Sequence, residues 1–214
     1  MDLDLETVDA LLTTTRAVRK RLDFTRDVPR EVITECLRLA IQAPTGSNMQ
    51  GWRWMIITDQ DKRNALADMY RRGFEPYMQM QMDQAAGAEV DPVMGRVAES
   101  AIYLSEHMGE APALVIPCIE GYGLPMDMNI VAASFYGSIF PAVWSFQLAL
   151  RSRGLGSALT TLHLSFEAEA RELLGIPDHV VQAGLLPVAY YTGEGFKPAP
   201  RTPVEDITHW NSWV

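Results

Sequence analysis

The stretch from Ile130 to Leu150 constrains the chain most. Val131, Ala132, Phe135, Ile139, Val143, Phe146 and Leu150 lie in it with little charge around them. A helix that is apolar almost all round has to be buried on several sides, so this run predicts a central helix. A membrane span is the competing reading. Pro141 interrupts the run, and its Ser and Gln residues argue further against a span. The rest of the chain then has to wrap this helix.

With 214 residues, nearly half of them apolar, the chain has material for one domain with a sizeable core. Its 27 acidic residues outnumber its 18 basic ones. That balance repels phosphate backbones and anionic lipid, so neither a nucleic acid nor a membrane surface is expected as a partner. The N-terminus has no basic start and no apolar run of the kind found in signal peptides, which makes the cytoplasm the default location. Cys36 and Cys118 sit in separate apolar runs without CxxC spacing and read as two buried, reduced thiols.

Apolar residues at helical spacing predict helices over Leu3–Leu12 and, after Pro29, over Val32–Ile41. Pro44-Thr-Gly-Ser-Asn48 is a loop, and Trp52–Thr58 has the composition of a buried strand. Asp59 can cap a polar helix that runs toward Arg72. Residues 74–110 form a variable insert, partly helical, with Met78, Met80 and Met82 at a spacing of two. Further strands are predicted at Ala113–Ile119, Ser157–Leu162 and Val180–Tyr191. Ser165 can cap a short helix that stops at Gly175. Strands and helices interleave without regular βαβ spacing, so the class is α+β, or α/β by a looser definition.

Three segments could carry chemistry. Thr15-Arg-Ala-Val-Arg-Lys-Arg-Leu22 crowds four cations between two helices, which suits a bound phosphate or a solvated turn. The 44–48 loop running into Gln50-Gly-Trp52 lets backbone and short side chains approach a flat polar ring, or is an ordinary turn. Gly154-Leu-Gly-Ser157 invites a dinucleotide reading. However, Leu159 holds the place of the third small residue and the order is helix, Gly-Leu-Gly, strand, so a helix stop explains these glycines better. His107, His163, His179 and His209 are scattered, and no metal set, triad or nucleophile elbow is present. Any chemistry then belongs to a cofactor.

Taken in order, Arg16-Ala-Val-Arg-Lys20, Ala43-Pro-Thr-Gly-Ser-Asn-Met-Gln-Gly-Trp52, Gly154-Leu-Gly-Ser-Ala-Leu-Thr-Thr161 and Arg201-Thr-Pro203 resemble the successive signatures of the nitroreductase family. The resemblance runs from about Val8 to Trp210 and is weakest over 74–110. It implies a central mixed sheet flanked by helices, in an intertwined homodimer with FMN at the subunit interface. By the same resemblance Arg16, Ala17, Val18 and Arg201 would hold the phosphate, and Lys20, or Arg19 beside it, would face flavin N1 and O2. Pro44, Thr45, Gly46 and Asn48 would come from the other subunit. Thr161, Leu162 and His163 would pass their backbone along the ring edge near N5. Val18 stands where many members carry a serine, leaving only its N–H for the phosphate, and Gly51 replaces a commoner proline.

The implied activity is hydride transfer from NADH or NADPH through FMN to a nitroaromatic or quinone, with no obligatory acid or base side chain and no metal. The same resemblance admits a deiodinase or flavin-cleaving enzyme, and a flavin-binding sensor or carrier without turnover. The Met-rich insert is either a lid over the flavin or core packing. Phe74, Tyr77 and Tyr122 are candidates to stack on a substrate.

Overall fold

The computed structural model describes residues 3–84, 92–121 and 125–213. Tyr122 lies outside them. Helices α1 (Leu5–Thr14), α2 (Arg30–Ala40), α3 (Gln60–Gln84), α4 (Pro92–His107), α5 (Asn129–Arg151) and α6 (Glu167–Leu174) accompany strands β1 (Leu22–Asp23), β2 (Trp52–Ile57), β3 (Ala113–Glu120), β4 (Leu155–Ser157), β5 (Val180–Gln182) and β6 (Leu186–Tyr191). The α+β class expected from the sequence is the one observed.

Strand β3 organises the sheet. It is buried from Ala113 to Ile119, as a continuous apolar run should be when both faces are covered. One edge pairs with β2 throughout; the other pairs first with β6, at Ala113–Val115, and then with β5, at Cys118–Glu120. Pro117 falls at this changeover. Its carbonyl accepts from Ala183 N–H at 2.8 Å, so its missing N–H lies on the side where one partner strand ends and the next begins. β1 and β4 both pair with β6. All these ladders are antiparallel, and the parallel element expected of a mixed sheet is a single bridge, Ala17 to Ser157.

Alternation along β3 sorts the core into two layers. Ala113, Val115 and Ile119 join Ile33, Cys36, Phe135, Ile139, Val143, Phe146 and Leu150 under α2 and α5. Leu114, Ile116 and Cys118 join Leu66, Met69, Tyr70, Phe74, Leu104 and Met108 under α3 and α4. Both cysteines are buried and free, and burial pushes the Cys36 and Cys118 thiols up to about 11 and about 12.

Several local expectations are revised. Asp59 does cap α3, its Oδ1 accepting from Lys62 N–H at 3.0 Å, but α3 continues past Arg72 and through Pro76 to Gln84. Ser165 caps nothing: it lies inside the 3-10 turn Leu162–Phe166, and α6 begins at Glu167 behind Phe166. Gly175 ends α6 in the left-handed region, φ 65°. The strand expected at 157–162 stops at Ser157, leaving only a bridge from Thr160 to Leu185, and the last strand is split in two at Ala183–Leu185. Helix α5 is central as predicted, yet one face stays open: Ile130, Tyr136 and Trp144 are 74%, 37% and 42% exposed.

Gly73 sets the distance between α3 and the 162–166 turn. A Cβ there would lie 2.3 Å from the Leu162 carbonyl oxygen. Gly73→Ala should therefore lower stability by about 1–3 kcal/mol, the usual range for overpacking, seen as a lower urea midpoint at unchanged slope. An unmoved midpoint would contradict this backbone-to-backbone contact.

Candidate functional site

The chain between α1 and β1 is held as an edge against β4. Val18 N–H donates to the Ser157 carbonyl at 2.9 Å, beside the Ala17–Ser157 bridge. The approach requires Gly156, where a Cβ would lie 2.9 Å from Val18 Cβ. Gly154 takes φ 75° at the turn out of α5. The two glycines thus serve a turn and a close contact, beyond the helix stop read from the sequence. Val18 is 4% exposed and its N–H is committed to Ser157, so the expectation that this N–H is free for a phosphate is corrected.

The cations of this segment divide by task. Arg16 is exposed and donates to the Lys197 carbonyl at 3.3 Å, and Ala17 beside it is also exposed. Arg19 is half-buried and donates to Ser100 Oγ at 3.4 Å, while Lys20 pairs with Glu99. Arg21 turns away. It donates to the carbonyls of Thr192, Glu194 and Gly195 and stacks 4.2 Å from the Phe196 ring centre, clasping the start of the C-terminal segment. Arg201, exposed further along that segment, donates to the carbonyl of its own neighbour Pro200.

Thr161 and Leu162 follow β4 beside this edge, Thr161 exposed and Leu162 half-buried against α3. Phe74, a candidate substrate contact, is 6% exposed and stacked on Tyr70 at 6.1 Å, so it belongs to the core. Tyr77 and Met82 do line a groove of about 270 Å³ between α3 and α4; Met78 also packs on the core, while Met80 faces solvent.

The second constellation lies on the open half of α5. Pro44, Gly46 and Asn48 are exposed and Thr45 is half-buried. Gly46 N–H donates to Ser138 Oγ at 2.9 Å, and Trp52 Nε1 donates to the Ser138 carbonyl at 2.8 Å. A Cβ on Gly46 would come within 3.1 Å of Ser134 Oγ. Ser47, Asn48 and Gln50 all take φ between 51° and 54°, strain that the loop holds through these anchors. Beside it is a cavity of about 500 Å³, lined among others by Thr45, Met49, Ile119, Ile130, Val131 and Phe135. Among the described residues, no hydrogen bond or ion pair joins this loop to the 16–20 segment.

Sequence reasoning missed Ser134 and Ser138, although two hydroxyls at i and i+4 on an otherwise apolar helix are a readable signal. It also missed Glu99 and Ser100, for which no local signal exists because only tertiary packing brings α4 here. Among the described residues no group of three or more His, Cys, Asp or Glu side chains is placed to hold a metal, and no helix is long and apolar enough to cross a membrane.

His163 is fully buried. Burial pushes its imidazole down from 6.5 to about 4, against a smaller opposing effect of Gln182. The two side chains face each other without reaching hydrogen-bond geometry: both ring nitrogens and Gln182 Oε1 lack a partner. The folded chain keeps the ring neutral while the unfolded chain takes up a proton below pH 6.5. Stability present above that pH is therefore lost as pH falls toward 4, by about 3 kcal/mol. His163→Gln should remove this part of the pH dependence of thermal unfolding. An unchanged slope between pH 6.5 and 4 would contradict it.

Comparison with known proteins places this geometry. The family model described as the nitroreductase family matches residues 12–190. An NADH dehydrogenase of Thermus thermophilus is 25% identical over 196 residues, covering 86% of each chain. A 4-nitrobenzoate reductase of a Nocardioides species is 26% identical over 198 residues, covering 82% of this chain and 76% of the relative. The crystal structure of an oxidized iodotyrosine deiodinase bound to FMN and 3-iodo-L-tyrosine superposes with a TM-score of 0.70 at 23% identity, covering 94% of this chain and 98% of that one. With the match spanning most of its length, this chain belongs to the nitroreductase family.

Proposed function

We propose that the protein is an FMN-dependent oxidoreductase that takes hydride from NADH or NADPH and passes it to a nitroaromatic or quinone acceptor, working as a homodimer. One observation carries the reading: among the described residues no hydrogen bond or ion pair joins the 44–48 loop to the 16–20 segment, and the α5 face beside the loop is apolar and uncovered. A second copy laid on that face would bring the 44–48 loop of one copy to the 16–20 segment of the other.

The donor chemistry fits FMN. Arg16 offers an exposed guanidinium for the phosphate, and the exposed Arg201 would supply a second. Lys20 supplies charge for N1 and O2, with Arg19 half-buried behind it. Thr161, which is exposed, can offer its backbone to the ring edge near N5; Leu162 is half-buried, and His163 is fully buried, so its N–H is closed to the flavin, against what the resemblance implied. Pro44, Thr45, Gly46 and Asn48 of the second copy close the other side with small side chains and a strained, pre-set backbone. Bound FMN would supply two-electron chemistry by accepting and donating hydride. The chain's own share is to bind, orient and exclude water, since no side chain here is poised as an acid or base.

The relatives support this reading in two directions. The nitrobenzoate reductase favours a nitro acceptor, and the likeness to the deiodinase favours, as a second reading, reductive removal of halogen.

The purified protein should be yellow, with flavin bands that bleach within seconds on anaerobic addition of NADPH or NADH and return on adding a nitroarene or quinone. Return with iodotyrosine alone would select the second reading; full FMN occupancy with slow reduction by both nicotinamides would mark a carrier. A colourless protein that cannot be reconstituted with FMN would overturn the proposal. Arg16→Ala should weaken FMN binding about 10- to 100-fold, as loss of a charged hydrogen bond does. Ile130→Asp, harmless on a solvated face, should convert a dimer to a monomer in sedimentation and release FMN. A monomeric wild type would contradict the covered α5 face.

A further inference from the structure

Helix α4 touches the candidate flavin segment at two consecutive residues. Lys20 Nζ pairs with Glu99 Oε1, and Arg19 Nη1 donates to Ser100 Oγ at 3.4 Å. Both partners of the ion pair are largely in water, their side chains 42% and 69% exposed. Such pairs add little to stability, so folding does not explain why the carboxylate sits here. The ammonium it neutralises is the one our functional reading assigns to flavin N1 and O2.

We propose that Glu99 is a redox-tuning residue of the cofactor site, a carboxylate that opposes reduction of the bound flavin by competing for Lys20. The inference rests on the FMN reading. Hydride transfer from a nicotinamide adds two electrons and one proton to the ring, which gains one negative charge as the nicotinamide gains one positive charge. The oxidised ring is neutral at N1 and leaves the Lys20–Glu99 pair undisturbed. The reduced ring is an anion that needs Lys20 as its counter-charge, and there Glu99 competes for the same ammonium.

Coupling of this kind is reciprocal. Reduction weakens the Lys20–Glu99 pair and so loosens the hold on α4. That helix forms one wall of the apolar groove whose lining includes Tyr77, Met78, Met82, Met94 and Val97. The groove is thereby tied to the redox state of the flavin, through one ion pair.

The test uses the FMN-loaded protein and three single variants, Glu99→Gln, Glu106→Gln and Lys20→Met, plus the double variant of Glu99→Gln with Lys20→Met. Glu106 is exposed on the same helix, near Arg71 and away from Lys20, and controls for net charge. The readouts are the two-electron midpoint potential against a reference dye and FMN affinity by fluorescence quenching. Glu99→Gln should tighten binding of reduced over oxidised FMN roughly tenfold, a rise of about 30 mV for a two-electron couple. Glu106→Gln should leave the potential in place. In the Lys20→Met background the Glu99→Gln shift should largely vanish. Equal shifts for Glu99→Gln and Glu106→Gln, or no shift in either with FMN fully bound, would overturn the role of Glu99 while leaving the flavin reading intact. A wild type that binds no FMN would overturn both.

Discussion

Helix α5 presses Phe135, Ile139, Val143, Phe146 and Leu150 onto one face of β3 and leaves Ile130, Tyr136 and Trp144 in water. The burial fixes the sheet, because β3 is the strand on which β2, β5 and β6 all register. The uncovered half sets a demand. Ile130 is mostly in water, and Tyr136 and Trp144 keep 37% and 42% of their surface there, so covering this face adds a favourable apolar contribution to association. The strained 44–50 loop is anchored on that same half through Ser138, with Ser134 lining the cavity beside it, which places loop, cavity and uncovered surface together.

Along β4 and the 162–166 turn, small residues do the positioning. Gly156 lets the 16–18 segment lie against β4, and Gly73 lets α3 lie against the turn after Thr161. These two contacts hold the exposed Arg16 and the Thr161 backbone on neighbouring edges of one scaffold. The cost of a polar group in the core is visible at His163, kept neutral by its surroundings and left without a partner. Proximity and charge are thus supplied by rigid elements, the arrangement a site needs when a bound group carries the chemistry.

Much of this was legible in the sequence. The apolar run gave the central helix, the Ala113–Ile119 run gave the buried strand, and Asp59 and Gly175 marked helix ends through local chemistry that tertiary structure did not override. Other features were not legible. Val18 N–H turned out to be spent on Ser157, because the parallel bridge depends on Gly156, 138 positions away. Phe74 entered the core because α3 continued past Pro76, where packing on the 162–166 turn outweighs propensity. Glu99 could not be found at all, since nothing in its neighbourhood in the sequence points to Lys20.

The central claim, that each site is shared between two copies, is tested most directly by subunit complementation. Arg16→Ala and Gly46→Val proteins, each dimeric and each deficient in FMN binding, are mixed and allowed to exchange subunits. In a shared site the mixed dimer has one intact and one doubly damaged pocket, so FMN binding recovers to roughly a quarter of the wild-type stoichiometry at random exchange. If each chain builds its own site, both pockets of the mixed dimer stay damaged. Binding no greater than the average of the two parent proteins would contradict the account.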